Sequence, residues 1–159
     1  MELLGVRLEP PANYPVMLLR EKEGLQRLLP VYIGGPEAAA ISYVLEGVET
    51  PRPLTHDLLK NVLGELNANL TNVVITELRE HTFYAELHLT TGNGERVISS
   101  RPSDAVALAL RTGSPIFVSE AVLAEAGQAP DADEEPSPEI LEEFRDFIEH
   151  VNPDDFAGS

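Results

Sequence analysis

The alternation of apolar and polar residues predicts β-strands in the first part of the chain. Over residues 4–8 every second position is apolar, which is the period-two pattern of a half-buried strand. Apolar runs at 16–19 and 25–33 flank a short charged turn. Two such runs joined by a polar turn are typical of a β-hairpin. The N-terminal third is therefore predicted to be a set of adjacent strands.

The same alternation returns in the second half of the chain. Residues 70–78 are rich in Val and Ile, and residues 83–89 alternate most regularly. The turn 91–94 contains two glycines and leads to the apolar pair 97–98, which predicts a tight hairpin. A last short strand is expected at 115–118. These strands predict a mainly antiparallel sheet.

Apolar residues spaced by three or four positions predict helices between these strands. A helix beginning at Pro36 is expected to bury Ala40, Ile41, Val44 and Leu45. In residues 55–66 one face of an amphipathic helix is formed by Leu58, Leu59, Val62, Leu63 and Leu66. Further helices are expected at 105–111, ended by Gly113, and at 120–126. With about four helices, residues 1–127 are predicted to form one compact α+β domain.

The composition changes after this domain. Residues 128–138 are polar, acidic and proline-rich, so a disordered linker is expected there. Residues 139–159 are expected to hold an acidic amphipathic C-terminal helix and tail, with an apolar face of Ile140, Leu141, Phe144, Phe147, Ile148 and Val151. This helix must dock on its own domain or on a protein partner.

Net charge limits the partners that the chain can bind. The 159 residues carry a formal charge of −16. Residues 1–127 hold 16 acidic and 10 basic side chains, whereas residues 128–159 hold 11 acidic side chains and only Arg145 as a base. Nucleic-acid-binding proteins usually carry a basic stripe, and none is visible. Binding to nucleic acid would depend on a few arginines that the fold brings together.

Cellular location is indicated by the sequence features that are missing. There is no cysteine, the N-terminus lacks the pattern of a signal peptide, and no apolar run approaches the roughly 18 residues of a membrane span. A cytoplasmic protein without a membrane partner is expected.

Two Arg-Pro segments carry most of the chemical information. Residues 52–57 and 101–104 each place Arg-Pro ahead of a hydroxyl residue and an aspartate, directly before a helical pattern. Thr55 and Ser103 are candidate N-caps. A cation at a helix start is unfavourable unless an anion lies between them, so the segments indicate an anion or phosphate site. In the alternative interpretation, Arg52 and Arg101 pair with aspartates of their own fold.

His56 is the candidate general base. It stands in the first turn of a predicted helix, where it could deprotonate water or a 2′-hydroxyl while Arg52 or Arg101 stabilises phosphate charge. Carboxylates at predicted helix starts, namely Glu37, Asp57 and Asp104, are candidate ligands for Mg²⁺ or another divalent metal. Glu37 has a simpler alternative role, since an acidic first-turn residue also complements the helix dipole.

An ordered set of motifs resembles the bifunctional nuclease domain family. The resemblance covers roughly residues 3–123 and is carried by Leu29–Gly34 with Glu37-Ala38, Arg52–Leu58, Thr82–Ala85 with Leu87, Arg101–Ala105, Ala107–Ala109 and Pro115–Val118. It implies an α+β domain and cleavage of both RNA and DNA. The chain departs from the pattern at Ser99, where relatives often carry aspartate, so one candidate metal ligand is missing.

Two functions follow from this sequence. The leading hypothesis is a nuclease-type phosphodiesterase acting on RNA or DNA, with the residues named above in its site. The alternative is a non-catalytic binding or regulatory module that engages a protein partner, with Arg52 and Arg101 paired to Asp57 and Asp104. Exposed sheet edges and the C-terminal helix also predict a homo-oligomer, with a dimer favoured.

Overall fold

The N-terminal strands form a three-stranded antiparallel sheet. The computed structural model describes residues 1–130. The strand order is β1-β2-β3, with bounds β1 Glu2–Glu9, β2 Tyr14–Arg20 and β3 Leu28–Tyr32. Val16, Met17 and Leu19 of β2 and Leu29 of β3 are fully buried, so the central strand and its neighbour both supply buried apolar surface.

The later strands form a second sheet of four strands. Its order is β6-β5-β4-β7, with bounds β4 Asn69–Arg79, β5 Thr82–Thr91, β6 Gly94–Ser100 and β7 Ile116–Val118. β4, β5 and β6 are antiparallel neighbours, and β7 lies parallel to β4. The predicted α+β class with mainly antiparallel pairing is confirmed, but the strands are divided between two sheets.

One helix occupies the centre of the domain. The four helices are α1 Gly35–Leu45, α2 Thr55–Glu65, α3 Pro102–Thr112 and α4 Glu120–Ala126. In α3 all residues from Ala105 to Ala109 are buried, because α1 and α2 pack against it as well as β4 and β5. A helix that is apolar on all sides requires such surroundings. A single hydrophobic cluster joins both sheets through these helices.

Several details differ from the sequence-based predictions. Val44 is only half-buried and Leu45 is 47% exposed, so the buried face of α1 is turned towards Ala38, Ala40 and Ile41. The N-caps of α2 and α3 are Leu54 and Arg101, and neither side chain makes a capping hydrogen bond. The expected caps, Thr55 and Ser103, lie inside the first turn instead. The predicted end of α3 is confirmed by Gly113, whose φ of 70° is left-handed.

One residue of the predicted linker pairs with a strand of the domain. Gln128 exchanges two backbone hydrogen bonds of 2.8 Å with Leu28 and so belongs to the folded domain. The rest of the predicted linker from residue 131, and the predicted helix and tail at 139–159, lie outside the described residues. Within residues 1–130, none of the helices is long and apolar enough to cross a membrane.

Candidate active site at three helix starts

The first turns of α1, α2 and α3 meet at one place. His56 of α2 contacts Asp104 of α3, and Glu37 of α1 contacts Arg101, the N-cap of α3. Each of the three helices carries an acidic residue in its first turn. Negative charge at these positions complements the positive ends of the helix dipoles. The site therefore combines residues from three distant parts of the sequence.

His56 and Asp104 form a hydrogen-bonded pair. Nε2 of His56 lies 2.9 Å from Oδ1 of Asp104, and His56 is only 8% exposed. Since an ionised carboxylate can only accept, Nε2 donates to it, and in the neutral form of the imidazole Nδ1 is left as an acceptor. Nδ1 makes no hydrogen bond within residues 1–130 and is not among the buried unbonded atoms there, so it reaches the surface. This geometry presents an oriented base to solvent.

Arg101 binds the same carboxylate from its other side. Its Nε donates to Oδ2 of Asp104 at 2.7 Å, and its Nη2 donates to Oδ1 at 3.1 Å. Burial by itself raises the pKa of Asp104, but the hydrogen bonds from Arg101 and His56 outweigh it and lower that pKa below its usual value. Asp104 is therefore ionised at neutral pH, as its acceptor role towards His56 requires.

Glu37 completes this cluster. Its Oε1 lies 3.0 Å from Nη1 of Arg101. The guanidinium has five N–H donors, so two remain available after these contacts, and its side chain is 65% exposed. With neutral His56, the two carboxylates and one arginine leave a local charge of −1. A phosphate anion at this place needs additional positive charge.

Asp57 takes part in a different contact. Its Oδ1 accepts from Nε of Arg111 at 2.6 Å, and its Oδ2 accepts from the backbone N–H of Leu54 at 2.9 Å. Burial raises the pKa of Asp57, but the bonds from Arg111 and Leu54 lower it overall. The side chain of Arg111 is 5% exposed and also donates to the carbonyl of Ala107. This pair fixes the start of α2 against the last turn of α3.

Arg111 is the residue that sequence reasoning missed. The sequence pattern places it only at the end of the predicted helix 105–111, and its partner lies 54 positions away. One signal was available, because Arg111 is the sole charged residue between Asp104 and Gly113 on a helix that is otherwise apolar.

The two predicted Arg–Asp pairs have different outcomes. Arg101 does pair with Asp104, as the structural alternative proposed. Arg52 does not pair with Asp57, which binds Arg111 instead. Arg52 lies two positions before the N-cap of α2, and within the described residues its side chain is exposed and makes no hydrogen bond or ion pair. It remains a candidate for binding an anion.

The three predicted metal ligands are not brought together. Glu37 and Asp104 both bind Arg101, whereas Asp57 binds Arg111. Residues 1–130 contain no group of three or more His, Asp or Glu side chains arranged to hold a metal ion. Asp104 serves instead as the partner that orients His56.

These features define an α+β domain whose candidate site is a His–Asp pair flanked by arginine. The sequence matches the bifunctional nuclease domain over residues 17–131, a range that includes every residue of the site. The chain belongs to the bifunctional nuclease domain family.

Similar proteins occur in bacteria and plants. An uncharacterized protein of Mycobacterium tuberculosis is 48% identical over 100% of this chain and 98% of its own length. Bifunctional nuclease 1 of Oryza sativa is 28% identical over 74% of this chain, and bifunctional nuclease 1 of Arabidopsis thaliana is 26% identical over 73%. The matched regions are only 36% and 37% of these two plant proteins.

Proposed function

We propose that this protein is a nuclease-type phosphodiesterase that acts on RNA or DNA, with His56 as its general base. The observation that carries the proposal is the 2.9 Å contact between His56 and Asp104, which leaves Nδ1 without a hydrogen bond within the described residues. The names of the plant relatives support the substrate class.

The proposed reaction begins with deprotonation of the nucleophile. Nδ1 of His56 takes a proton from water or from a 2′-hydroxyl, and the freed oxygen forms a bond to phosphorus. The bond from phosphorus to the leaving oxygen breaks, and that oxygen receives a proton from solvent or from the imidazolium. Asp104 keeps the ring in one tautomer and stabilises its charged form.

The arginines have a separate role in this proposal. The two unused N–H groups of Arg101 can donate to a phosphate oxygen, and exposed Arg52 can approach from the start of α2. Since the local charge is −1, a divalent cation such as Mg²⁺ bound to the substrate phosphate itself would strengthen substrate binding at this site. We therefore expect a divalent ion to increase activity.

The test is a nuclease assay on purified full-length protein with labelled RNA and DNA. Wild type is compared with His56→Ala, Asp104→Asn and Arg101→Ala, each with Mg²⁺ and with EDTA. The matched control is His88→Ala, because His88 also bonds a carboxylate, Glu86 at 3.1 Å, but lies on β5. Circular dichroism establishes that each variant is folded.

Loss of a general base typically lowers the rate by about 10²–10⁴-fold. We expect a loss of this size in His56→Ala, a smaller loss in Asp104→Asn, and wild-type activity in His88→Ala. Activity that survives in folded His56→Ala, or that separates from the protein on further purification, would contradict the proposal. A folded wild type without activity would instead favour the non-catalytic binding module.

A further inference from the structure

Helix α2 has an apolar surface that the described domain leaves uncovered. We define the α2 stripe as Leu58, Leu59, Val62 and Leu66, which are 56%, 37%, 43% and 69% exposed. The helix contacts its own domain through other residues, chiefly His56, which is buried, and Leu63, which packs on the hydrophobic core.

The α2 stripe points in its own direction. At roughly 100° per residue, its four side chains span an arc of about 100°, centred about a quarter turn from His56 and Leu63. This arc contains no charged residue. Exposed apolar patches of this kind mark interaction surfaces, because leaving them in water costs free energy. The stripe is thus a second apolar side of α2.

The spacing of the α2 stripe is symmetric. Leu58, Val62 and Leu66 follow one another at intervals of four residues, with a leucine on each side of the valine. In two antiparallel copies of α2, Val62 faces its own equivalent and each Leu58 faces Leu66 of the partner subunit. We propose that the α2 stripe is a two-fold interface between two copies of this chain, centred on Val62.

The charge near the α2 stripe favours a second copy of the chain over the acidic C-terminal segment as the partner that covers the stripe. Glu65 lies at the edge of the stripe, and residues 1–127 hold 16 acidic and 10 basic side chains. Residues 128–159 carry 11 acidic side chains and one basic side chain, so like charges oppose their docking here. A second α2 stripe brings uncharged side chains to the contact.

The size of the stripe sets the strength of the contact. Four partly exposed aliphatic side chains supply on the order of a few hundred Å² of apolar surface per copy. With polar residues at the rim, the interface reaches the lower end of the specific class, roughly 1,200 Å² in total. A reversible dimer with a Kd in about the micromolar range is expected.

Cross-linking tests this interface directly, because the chain has no cysteine. Helices packed at 8–10 Å place facing Cα atoms roughly 3.5–5.5 Å apart, within the span of a disulfide. Under mild oxidation, full-length Val62→Cys should therefore form a covalent dimer with itself. Leu66→Cys alone should not, whereas a mixture of Leu58→Cys and Leu66→Cys should.

Sedimentation velocity of the full chain provides the second measurement. Wild type should sediment as a concentration-dependent dimer, Val62→Asp as a folded monomer, and Val97→Asp on the exposed edge strand β6 as wild type. A monomeric wild type would overturn the proposal. A monomeric Val62→Cys variant whose thiol is shielded from a maleimide reagent would do so as well. So would a dimer broken only by Val97→Asp.

Discussion

Gly34 leaves space that the carboxylate of Glu37 occupies. A Cβ atom at Gly34 would lie 2.1 Å from Oε2 of Glu37, well inside van der Waals contact. The backbone of Gly34 has φ −78°, which any residue can adopt. Its lack of a side chain therefore serves the position of Glu37 beside Arg101.

We predict that Gly34→Ala displaces Glu37 from Arg101. The expected loss of stability is about 0.5–1 kcal/mol, the range of an exposed ion pair. In a Glu37→Ala background the same change should be neutral or slightly stabilising, since alanine restricts the unfolded chain. Urea denaturation of the four proteins measures this difference.

Gly35→Ala is the matched control for this prediction. A Cβ atom there meets no other atom within 4 Å. It should not destabilise the protein in either background. If Gly34→Ala is equally harmful with and without Glu37, the steric explanation is wrong.

Arg111 and Asp57 form an ion pair at the start of α2 in which the arginine side chain is buried. Removing one partner of a buried pair leaves an uncompensated charge, and the cost is about 3–5 kcal/mol. Because Asp57 is 35% exposed, we predict a loss near the lower end, about 3 kcal/mol, for Arg111→Met. Urea denaturation at pH 7 measures it.

Two comparisons make the interpretation specific. Arg20→Met removes an exposed pair with Glu2 and should cost less than about 1 kcal/mol. Asp57→Asn should cost much less in the Arg111→Met background than in wild type. Additive effects of the two substitutions would show that the pair is not the source of the loss.

At the scale of elements, the first turns of α2 and α3 make stability depend on pH. Asp57 and Asp104 both have a lowered pKa in the folded protein, so both stabilise it above the ordinary aspartate value. This contribution is lost as the pH falls from about 4 through the lowered values, because the unfolded chain then binds more protons.

We predict that the free energy of unfolding decreases steadily between pH 5 and pH 3. The decrease should be shallower in Asp57→Asn and in Asp104→Asn, since each variant lacks one titrating group. Urea titrations at several pH values measure these slopes. Equal slopes in wild type and both variants would exclude these aspartates as the cause.

The sequence pattern predicted the type of each helix and strand better than the surfaces against which it packs. The spacing of Leu58, Val62 and Leu66 correctly indicated a helix, but these side chains lie outside the core. Periodicity shows which residues share a face and not which face meets the domain. Likewise, alternation found the strands, whereas the parallel pairing of β7 with β4 depends on how α3 crosses the sheet.

For the same reason, only part of the candidate site could be predicted from the sequence. His56, Arg101 and Asp104 were chosen because each stands at a helix start, and the structure brings them together. The role of Asp57 was not predictable, because its partner Arg111 is distant in the chain. Local sequence rules identify residues that can take part in binding or catalysis, and only the fold decides their partners.

In the molecule as a whole, the site depends on how α1 and α2 pack around α3. Glu37, His56 and Asp104 come from separate segments, and helix packing places Glu37 on Arg101 and His56 on Asp104. Family membership over residues 17–131 is consistent with this dependence, because the matched range spans all three segments. A fragment that lacks any one of these segments could not form the site.

The way α2 is held has a consequence for local opening. Besides His56 it buries little, and polar contacts at its first turn fasten it to α3. Segments with few buried apolar contacts detach at lower free energy than the global unfolding of the domain. The His56–Asp104 pair can therefore be dismantled by the opening of α2 while both sheets stay folded. Occupation of the site by a ligand would slow amide hydrogen exchange first in this helix.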